Sequence, residues 1–356
     1  MTTAQAARLI GPKALSFLKA QAADGFQEAL DLQFGLYGHP VVIASVFPVG
    51  LVLLGMLAHS PEDPEVRAIA AHEAAQFAML GEAQGWRYYN LCPEIPPDTD
   101  DLAVVTALFH MVGAHQDRLI APLETLASNA VAPGRFRTWL ADSPEARVEA
   151  DRRWGVGPDP VQPEVTAHML WALGVTGDPA HAETLRAGAR WLASLQANGI
   201  WETYNYYGAA YGTYQALRLY RQVESRWPET AEEFRASRAA AREALLASQD
   251  PSGGWVARVV PHGVRDQGGR YETPAHAGAL ETAFALSALA CLASDPAVAE
   301  ASARGWEYLA SLQAPDGGFA AEPYYYTIGL VPHQSRCLTT AAVLAAAAHL
   351  LHNNDR

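Results

Sequence analysis

Three aspartates, Asp98, Asp100 and Asp101, lie within four residues, between a proline-rich loop and a strongly apolar run. Proline keeps the preceding backbone extended, and aspartate suits both the cap and the first turn of a helix. The spacing therefore predicts that these acids stand at the N-terminus of a buried helix over residues 102–112.

Two chemistries fit this acidic cluster. In the first, the acids are solvated and only cap the helix, as acidic clusters commonly do. In the second, apolar walls surround the acids, and one of them keeps its proton because crowded carboxylates cannot all ionise at low cost. A protonated carboxyl group in such a site is a general acid. The elements that position the cluster must decide between these alternatives.

Composition limits the class of protein. At 356 residues, half of them apolar, the chain can bury a large core. A net charge of −13 argues against a nucleic-acid partner. Cys92, Cys291 and Cys337 are scattered, so they indicate neither a disulfide framework nor a zinc finger. The N-terminal residues lack a secretory signal pattern, which makes the cytoplasm the expected location.

Helical spacing runs through nearly the whole chain, and amphipathic segments alternate with apolar ones. The amphipathic segments include residues 4–22 and 65–85, and the apolar segments include residues 40–59, 102–114 and 165–173. Residues 41–58 are uncharged but contain proline and glycine, so we interpret them as a buried helix rather than a membrane span. The pattern predicts an all-α ring of helical hairpins, with no alternating strand.

Residues 130–163 interrupt this rhythm with many prolines, glycines and charges. A domain linker is one interpretation. Because helical hairpins resume on both sides, we expect instead a long surface connection inside one domain that spans residues 1–356.

A short motif recurs through the chain. It covers residues 196–201, 249–255 and 313–319, with a weaker copy at 21–26. Each copy ends an outer helix, where glycine suits the tight turn and the glutamine amide can satisfy backbone groups. A repeat with this content predicts a structural staple rather than a catalytic element.

The repeats resemble the Q-x-x-x-G-x-W repeats of squalene–hopene cyclases and related class II terpene cyclases. Gln249, Gly253 and Trp255 match this motif in full, the third copy has Phe319 for tryptophan, and the 196–201 copy is one residue short. The resemblance implies an α/α barrel, with an inner and an outer ring of helices. The repeats alone would also fit protein prenyltransferase β subunits or complement thioester domains.

Four further segments, in the family's order, favour the cyclases. Residues 98–105 resemble the segment that ends in D-x-D-D-T-A, and residues 163–168 resemble D-V-T-G-H. Residues 201–213 match a W…Y-G-T stretch, and residues 322–325 read E-P-Y-Y. The resemblance covers roughly residues 80 to 350, and it favours the protonated-acid interpretation of the aspartates.

The resemblance assigns roles within the cluster. Asp100 would be the proton donor, Asp98 and Asp101 would support it, and His168 would hydrogen-bond it. Tyr211 would belong to the polar network that returns the proton. Protonating an alkene or epoxide needs a strong acid, which a carboxylic acid beside a cationic histidine in a dry cavity provides. Taken alone, His168 could equally be a satisfied core histidine.

Carbocation chemistry also needs walls that stabilise positive charge without trapping it, and aromatic faces do this. Many of the aromatic residues of this chain could instead pack the barrel or face water. The candidate substrate-binding residues are Tyr88, Tyr89, Trp171, Trp201, Tyr204, Asn205, Tyr207, Tyr324, Tyr325 and Leu330.

The chain departs from the family pattern at three places. Leu102 replaces a threonine, Asn205 stands where a second tryptophan is expected, and residues 327–333 are short where the family has a phenylalanine-rich loop. These changes affect the wall that serves late-forming cations. We therefore expect a shorter substrate, or fewer ring closures, than in triterpene cyclisation; full conversion to a pentacycle would contradict this.

The implied ligand is a small isoprenoid, and no resident cofactor or metal is implied. A diphosphate-bearing substrate would call for Mg²⁺ or a basic pocket, for which the candidates are Arg87, Arg258, Arg265, Arg270 and Arg336. The family usually has two barrels and this chain has room for one. It could act alone, as a homodimer or with a separate subunit, with or without peripheral membrane contact.

Other functions remain open at this level. A non-catalytic barrel could bind an isoprenoid or a protein, and a terpene hydratase or isomerase would use the same acid. A zinc prenyltransferase is disfavoured, because none of the three cysteines has an aspartate two residues before it.

Overall fold

The computed structural model describes residues 3–90, 92–154, 160–266, 274–293, 295–326 and 331–353. The helices are α1 (Thr3–Ala23), α2 (Val46–His59), α3 (Pro64–Leu80), α4 (Thr99–Val112), α5 (Ile120–Ser128), α6 (Pro144–Trp154), α7 (Pro163–Thr176), α8 (Ala182–Leu195), α9 (Ala210–Arg226), α10 (Ala231–Ala247), α11 (His262–Asp266), α12 (Ala279–Ala290), α13 (Pro296–Leu312) and α14 (Arg336–Asn353). The strands are β1 (Asp31–Phe34), β2 (Val41–Ala44), β3 (Ala130–Ala132), β4 (Arg135–Phe136), β5 (Pro323–Tyr326) and β6 (Pro332–Gln334).

Helices α2, α4, α7, α9, α12 and α14 form a closed inner ring, in which each helix packs against the next and α14 returns to α2. Outer helices separate them along the chain: α3 packs on α2 and α4, α8 on α7 and α9, and α10 on α9 and α12. Because the chain returns through an outer helix each time, the inner helices run in the same direction. The predicted α/α barrel is confirmed.

Burial explains which helices are inside. Every residue of α4 from Thr99 to Phe109 is buried, and α2, α7 and α12 are also apolar on nearly all sides. Outer helix α8 instead buries one stripe, formed by Leu185, Gly188, Ala189 and Leu192. The alternation of apolar and amphipathic segments therefore becomes the two layers of the barrel.

The repeated motif is a staple between neighbouring outer helices, as predicted. Gln249 donates from its amide to the carbonyl of Gly253 at 2.7 Å and to that of Ala301, in α13, at 2.8 Å. The Trp255 indole donates to the carbonyl of Leu245 in α10, and its backbone N–H donates to Thr282 in α12.

The two neighbouring copies behave alike. The Gln196 amide ties the end of α8 to α10, and the Gln313 amide ties the end of α13 to α1. Gly253 also has a φ of 95° in this turn, and a Cβ there would lie 2.8 Å from the Arg304 carbonyl oxygen. Glycine is therefore required both for its conformation and for the close approach of α13.

The expectation that the chain contains no alternating strand is wrong. The start of segment 40–59 is strand β2, which pairs antiparallel with β1 from Asp31↔Ala44 to Phe34↔Val41. The β2 residues alternate between exposed and buried, but all four are apolar, which hides the alternation in the sequence. The segment 130–163 contains the β3–β4 hairpin and helix α6.

None of the described helices has the length and apolarity to cross a membrane.

Candidate active site

The acidic cluster starts inner helix α4. Asp98 is the N-cap, and its side chain accepts a hydrogen bond from the Asp101 N–H at 2.8 Å. The exposed fractions of Asp98, Asp100 and Asp101 are 6%, 9% and 1%. The cap was predicted correctly, but solvated acids are excluded, because all three aspartates are buried.

Asp100 is held through both carboxylate oxygens. The Nδ1 atom of His168, on α7, lies 2.6 Å from Oδ1, and the Tyr206 hydroxyl donates to Oδ2. His168 is 1% exposed and stacks on Trp171, three residues later on the same helix, with ring centroids 5.9 Å apart. This packing fixes the imidazole, so the Asp100 carboxyl group has one orientation.

Asp98 and Asp101 act on each other electrostatically. Burial raises the pKa of Asp98 to about 7. Burial, and then the negative charge of Asp98, raise the pKa of Asp101 well above its usual value. The pair therefore retains a proton at neutral pH, which limits the negative charge beside Asp100.

Buried glutamates hold the loops at the N-terminal rim of the inner ring. Glu164 accepts from the backbone N–H groups of Tyr204 and Asn205, at 2.7 and 3.0 Å. Glu281 accepts from the N–H groups of residues 209 and 210, at the start of α9. Burial raises the pKa of Glu164 and of Glu281 to about 7.

Glu322, of the E-P-Y-Y segment, has the same role for α12. It accepts from the N–H groups of Ala279 and Leu280 at 2.6 and 3.0 Å. The strand that follows, β5, carries Tyr324 and Tyr325 to the rim. The loop before α9 meets this strand through a bridge between Tyr206 and Tyr325. The rim is thus a connected scaffold that places Tyr206 against Asp100.

A cavity of about 380 Å³ occupies the interior of the ring, and most of its lining is apolar or aromatic. The described lining includes Leu51, Leu54, Met111, His168, Trp171, Tyr211, Tyr214, Gln215, Arg218, Arg221, Gln222, Phe284, Cys291, Tyr324, Leu338, Ala341 and His349. Asp100 is hydrogen-bonded to His168, which lines the cavity.

An aromatic cluster connects Asp100 to the cavity lining. The Tyr206 and Tyr211 rings stack with centroids 4.0 Å apart, and Tyr324 lies 5.4 Å from Tyr206 and 5.5 Å from Tyr211. Burial raises the pKa of each of these three hydroxyls well above its usual value. They therefore stay protonated and present neutral rings.

Tyr206, rather than Tyr211, donates the hydrogen bond to Asp100, and the expected place of Tyr211 in the network that returns the proton stays a prediction. Tyr211 is in the first turn of α9, where its ring stacks behind Tyr206 and lines the cavity. Tyr206 lies in the preceding loop, and a loop position gives no periodicity from which its direction could be read. The backbone bridge between Tyr206 and Tyr325 fixes the direction of the Tyr206 side chain.

The predicted substrate residues divide into groups. Trp171 and Tyr324 line the cavity. Tyr88, Tyr89 and Tyr325 form a separate polar cluster: the Tyr89 hydroxyl donates to Asp31 at 2.6 Å, and the Tyr88 hydroxyl donates to that of Tyr325 at 3.1 Å.

The remaining predicted substrate residues that the structure describes do not line the cavity. Trp201 is a staple, whose indole donates to the Leu192 carbonyl at 2.7 Å. Tyr204 and Asn205 are held by Glu164 through their backbone, and the Tyr207 N–H donates to the Tyr324 carbonyl. Leu330 lies outside the described residues.

The basic candidates whose side chains the structure describes lie outside the cavity. Arg87 pairs with Glu82, Arg336 pairs with Asp316, and Arg258 is exposed. Residue Arg270 and the side chain of Arg265 are outside the described part of the chain.

The cavity holds two arginines that the sequence analysis missed, Arg218 and Arg221. A signal was available: Tyr211, Tyr214, Arg218 and Arg221 recur at helical spacing and so share one face of α9.

His39, Cys92 and Glu94 are a described group that could hold a metal ion, with donor atoms within 4.8 Å of one another. His39 Nε2 lies 3.0 Å from Glu94, and the Cys92 thiol donates to the same carboxylate at 3.4 Å. Hydrogen bonds account for this grouping, and none of the three residues lines the described cavity.

Comparison with known proteins agrees with this architecture. A family model described as the squalene-hopene cyclase C-terminal domain matches residues 150–334, just over half of the chain. A search of curated proteins finds no significant match.

Solved structures share the fold. The type II terpene cyclase MstE from Scytonema has a TM-score of 0.70 at 17% identity, over 97% of this chain and 98% of that chain. The ent-copalyl diphosphate synthase from Streptomyces platensis has a TM-score of 0.59 at 20% identity, over 85% of this chain and 50% of that chain. The structural likeness establishes the α/α barrel, and the family model establishes membership. The chain belongs to the squalene-hopene cyclase family, whose members are enzymes that cyclise terpenoids.

Proposed function

We propose that this protein is a class II-type terpene cyclase in which Asp100 protonates an alkene or epoxide of a linear isoprenoid. The observation that carries the proposal is the Asp100 carboxyl group, which is buried and held between Tyr206 and His168, and His168 lines an aromatic cavity. We propose one barrel domain over residues 1–356.

The acid step follows from the hydrogen bonds. His168 donates from Nδ1 to Oδ1, so the acidic proton resides on Oδ2. The π electrons of the substrate form the new C–H bond, and the O–H electrons remain on Asp100 as carboxylate. His168 and the Tyr206 hydroxyl then both donate to that carboxylate, which stabilises the product of proton transfer.

The cation forms against neutral surfaces. Tyr211, Tyr324 and Phe284 present ring faces or edges in the cavity, and these stabilise positive charge without forming a bond to it. The next alkene of the substrate attacks the cation, and loss of a proton or capture of a nucleophile ends the reaction. The apolar lining limits early quenching by water.

The substrate class is supported by what the related structures contain. MstE was solved with geranylgeranyl dihydroxybenzoate as substrate and with merosterolic acid A as product. The ligand proposed here is likewise a small isoprenoid, and the acid step involves no metal. Isomerisation or hydration of a terpene would share the first protonation and differ only in how the cation is quenched.

The test is product analysis by mass spectrometry. Wild type, Asp100→Asn and the exposed control Asp117→Asn are incubated with linear polyprenyl alcohols, diphosphates, epoxides and prenylated aromatic acids. We expect cyclised product from wild type and from Asp117→Asn, and none from Asp100→Asn. Isomerised or hydrated product that is likewise lost in Asp100→Asn would support Asp100 as the acid and indicate a different quenching step.

Two results would oppose the proposal. Turnover that survives in Asp100→Asn would mean that another group is the acid. Absence of turnover across the panel by folded wild type would favour a non-catalytic isoprenoid-binding barrel, or an enzyme that requires a second subunit.

A further inference from the structure

Arg218 is held inside the cavity by aromatic rings. Its guanidinium carbon lies 3.7 Å from the centroid of Trp171 and 5.1 Å from that of Tyr214. Stacking of this kind orients the planar group and leaves its edge, with its N–H donors, directed away from the ring faces. The rings therefore present the edge of a permanently charged group to a ligand.

The charge of Arg218 lacks an ionic partner in the described structure. No described aspartate or glutamate forms an ion pair with it, its buried Nε makes no hydrogen bond, and Nη2 donates to the neutral amide of Gln215. Glu224, the acid on the same helix, pairs instead with Arg238 of α10. A half-buried guanidinium without a counter-charge loses part of its hydration, and an incoming anion would offset that cost.

A second cation follows one helical turn later. Arg221 also lines the cavity and donates to the Ala290 carbonyl at 3.3 Å. Like charges at this spacing oppose each other, so the pair increases the affinity for an anion. Gln222, Cys291 and the hydrogen-bonded pair of Tyr214 and His349, whose Oη and Nε2 atoms lie 2.6 Å apart, also line the cavity.

The backbone positions of the two arginines are separated from Tyr211 along α9. At 1.5 Å per residue, Arg218 lies roughly 10 Å and Arg221 roughly 15 Å along the helix from Tyr211. A guanidinium repels a carbocation, so the cation must form near Tyr211 and Tyr324. The cavity thus has an acid end, at His168 and Tyr211, and an arginine end, at Arg218 and Arg221.

We infer that the arginine end binds an anionic head group of the isoprenoid, a diphosphate or a carboxylate, while the alkene to be protonated lies at the acid end. The inference rests on the proposed function and adds the substrate's charge and direction in the cavity. Two donors on the Arg218 edge match two oxygens of either anion.

Binding is measured in the Asp100→Asn background, which separates it from turnover. Isothermal titration calorimetry compares geranylgeranyl diphosphate and a geranylgeranyl-substituted hydroxybenzoate with neutral geranylgeraniol. We expect at least one anionic ligand to bind about tenfold or more tightly than the alcohol, as charge-assisted hydrogen bonds would give. The two anionic ligands distinguish a diphosphate from a carboxylate.

Arg218→Gln should abolish this preference, Arg218→Lys should retain part of it, and Arg235→Gln, on the exposed face of α10, should leave it unchanged. A melting temperature for each variant shows whether it is folded, and Arg221→Gln provides a second test if Arg218→Gln is not. Equal binding of alcohol and anions, or a preference that survives in both glutamine variants, would overturn the inference. Because Asp100→Asn is used throughout, either result leaves the acid assignment to be judged by turnover alone.

Discussion

The charged groups at the two ends of the cavity differ in their partners. At the acid end, Asp100 is bonded by His168 and Tyr206, and the nearby glutamates are held by backbone N–H groups. At the arginine end, Arg218 rests on aromatic rings without a described acidic partner. On our proposal, the acid end is therefore organised before substrate arrives, whereas the arginine end is completed by a ligand.

The largest expected effect concerns the acid and its histidine. We expect Asp100→Asn and His168→Gln each to lower kcat by about 10² to 10⁴-fold, the range for general acid catalysis. The double variant should lose little more than either single variant, because the two groups act as one unit. Single-turnover assays measure this; losses that multiply in the double variant would show independent roles.

The buried glutamates should make stability fall as pH rises. A folded pKa of about 7, against an ordinary value of 4.5, means that folded Glu281 binds more protons than unfolded Glu281 between these pH values. Its contribution is present below about pH 4.5 and is lost as the pH passes 7, a difference of about 3 kcal/mol.

Urea titrations at pH 5 and pH 8 compare wild type, Glu281→Gln and the exposed control Glu124→Gln. Glu281→Gln should reduce the pH dependence of the unfolding free energy, and Glu124→Gln should not. An unchanged dependence in Glu281→Gln would mean that this carboxylate is ionised throughout the range.

The two stacked tyrosines should differ. Tyr206→Phe removes a hydrogen bond to the Asp100 carboxylate, worth about 1.5 to 3 kcal/mol for a charged partner, and should lower kcat by about 10 to 100-fold. Tyr211→Phe keeps the aromatic wall and should change kcat much less. The pair is matched in chemistry and burial, so equal losses would return Tyr211 to the acid's hydrogen-bond network.

The smallest effect should come from salt. Raising the NaCl concentration from about 0.1 to 1 M shortens the Debye length from about 10 to 3 Å, which weakens attraction between the arginine end and an anion. We expect a loss of a few-fold in affinity for geranylgeranyl diphosphate and none for geranylgeraniol. Calorimetry with both ligands tests this, and equal responses would indicate a general effect of salt on the barrel.

The sequence was sufficient for the fold because local patterns carry it. Apolar and amphipathic helices alternate along the chain, and the glutamine, glycine and aromatic residue of each staple are close in sequence. The same locality allowed Asp98 to be predicted as a cap. Strand β2 was missed because four successive apolar residues hide its alternation, and its partner β1 is separated by a loop.

The sequence by itself determined the layers of the barrel, the place of the aspartates at a helix start and, through ordered motifs, the family. Only the tertiary structure decided that Tyr206 rather than Tyr211 contacts Asp100, that Trp201 is a staple, and that Arg218 faces the cavity. The physical reason is distance along the chain. Helix periodicity and turns depend on neighbouring residues. The contacts that orient Tyr206 and that place Arg218 in the cavity, without a described acidic partner, join segments that are far apart in sequence.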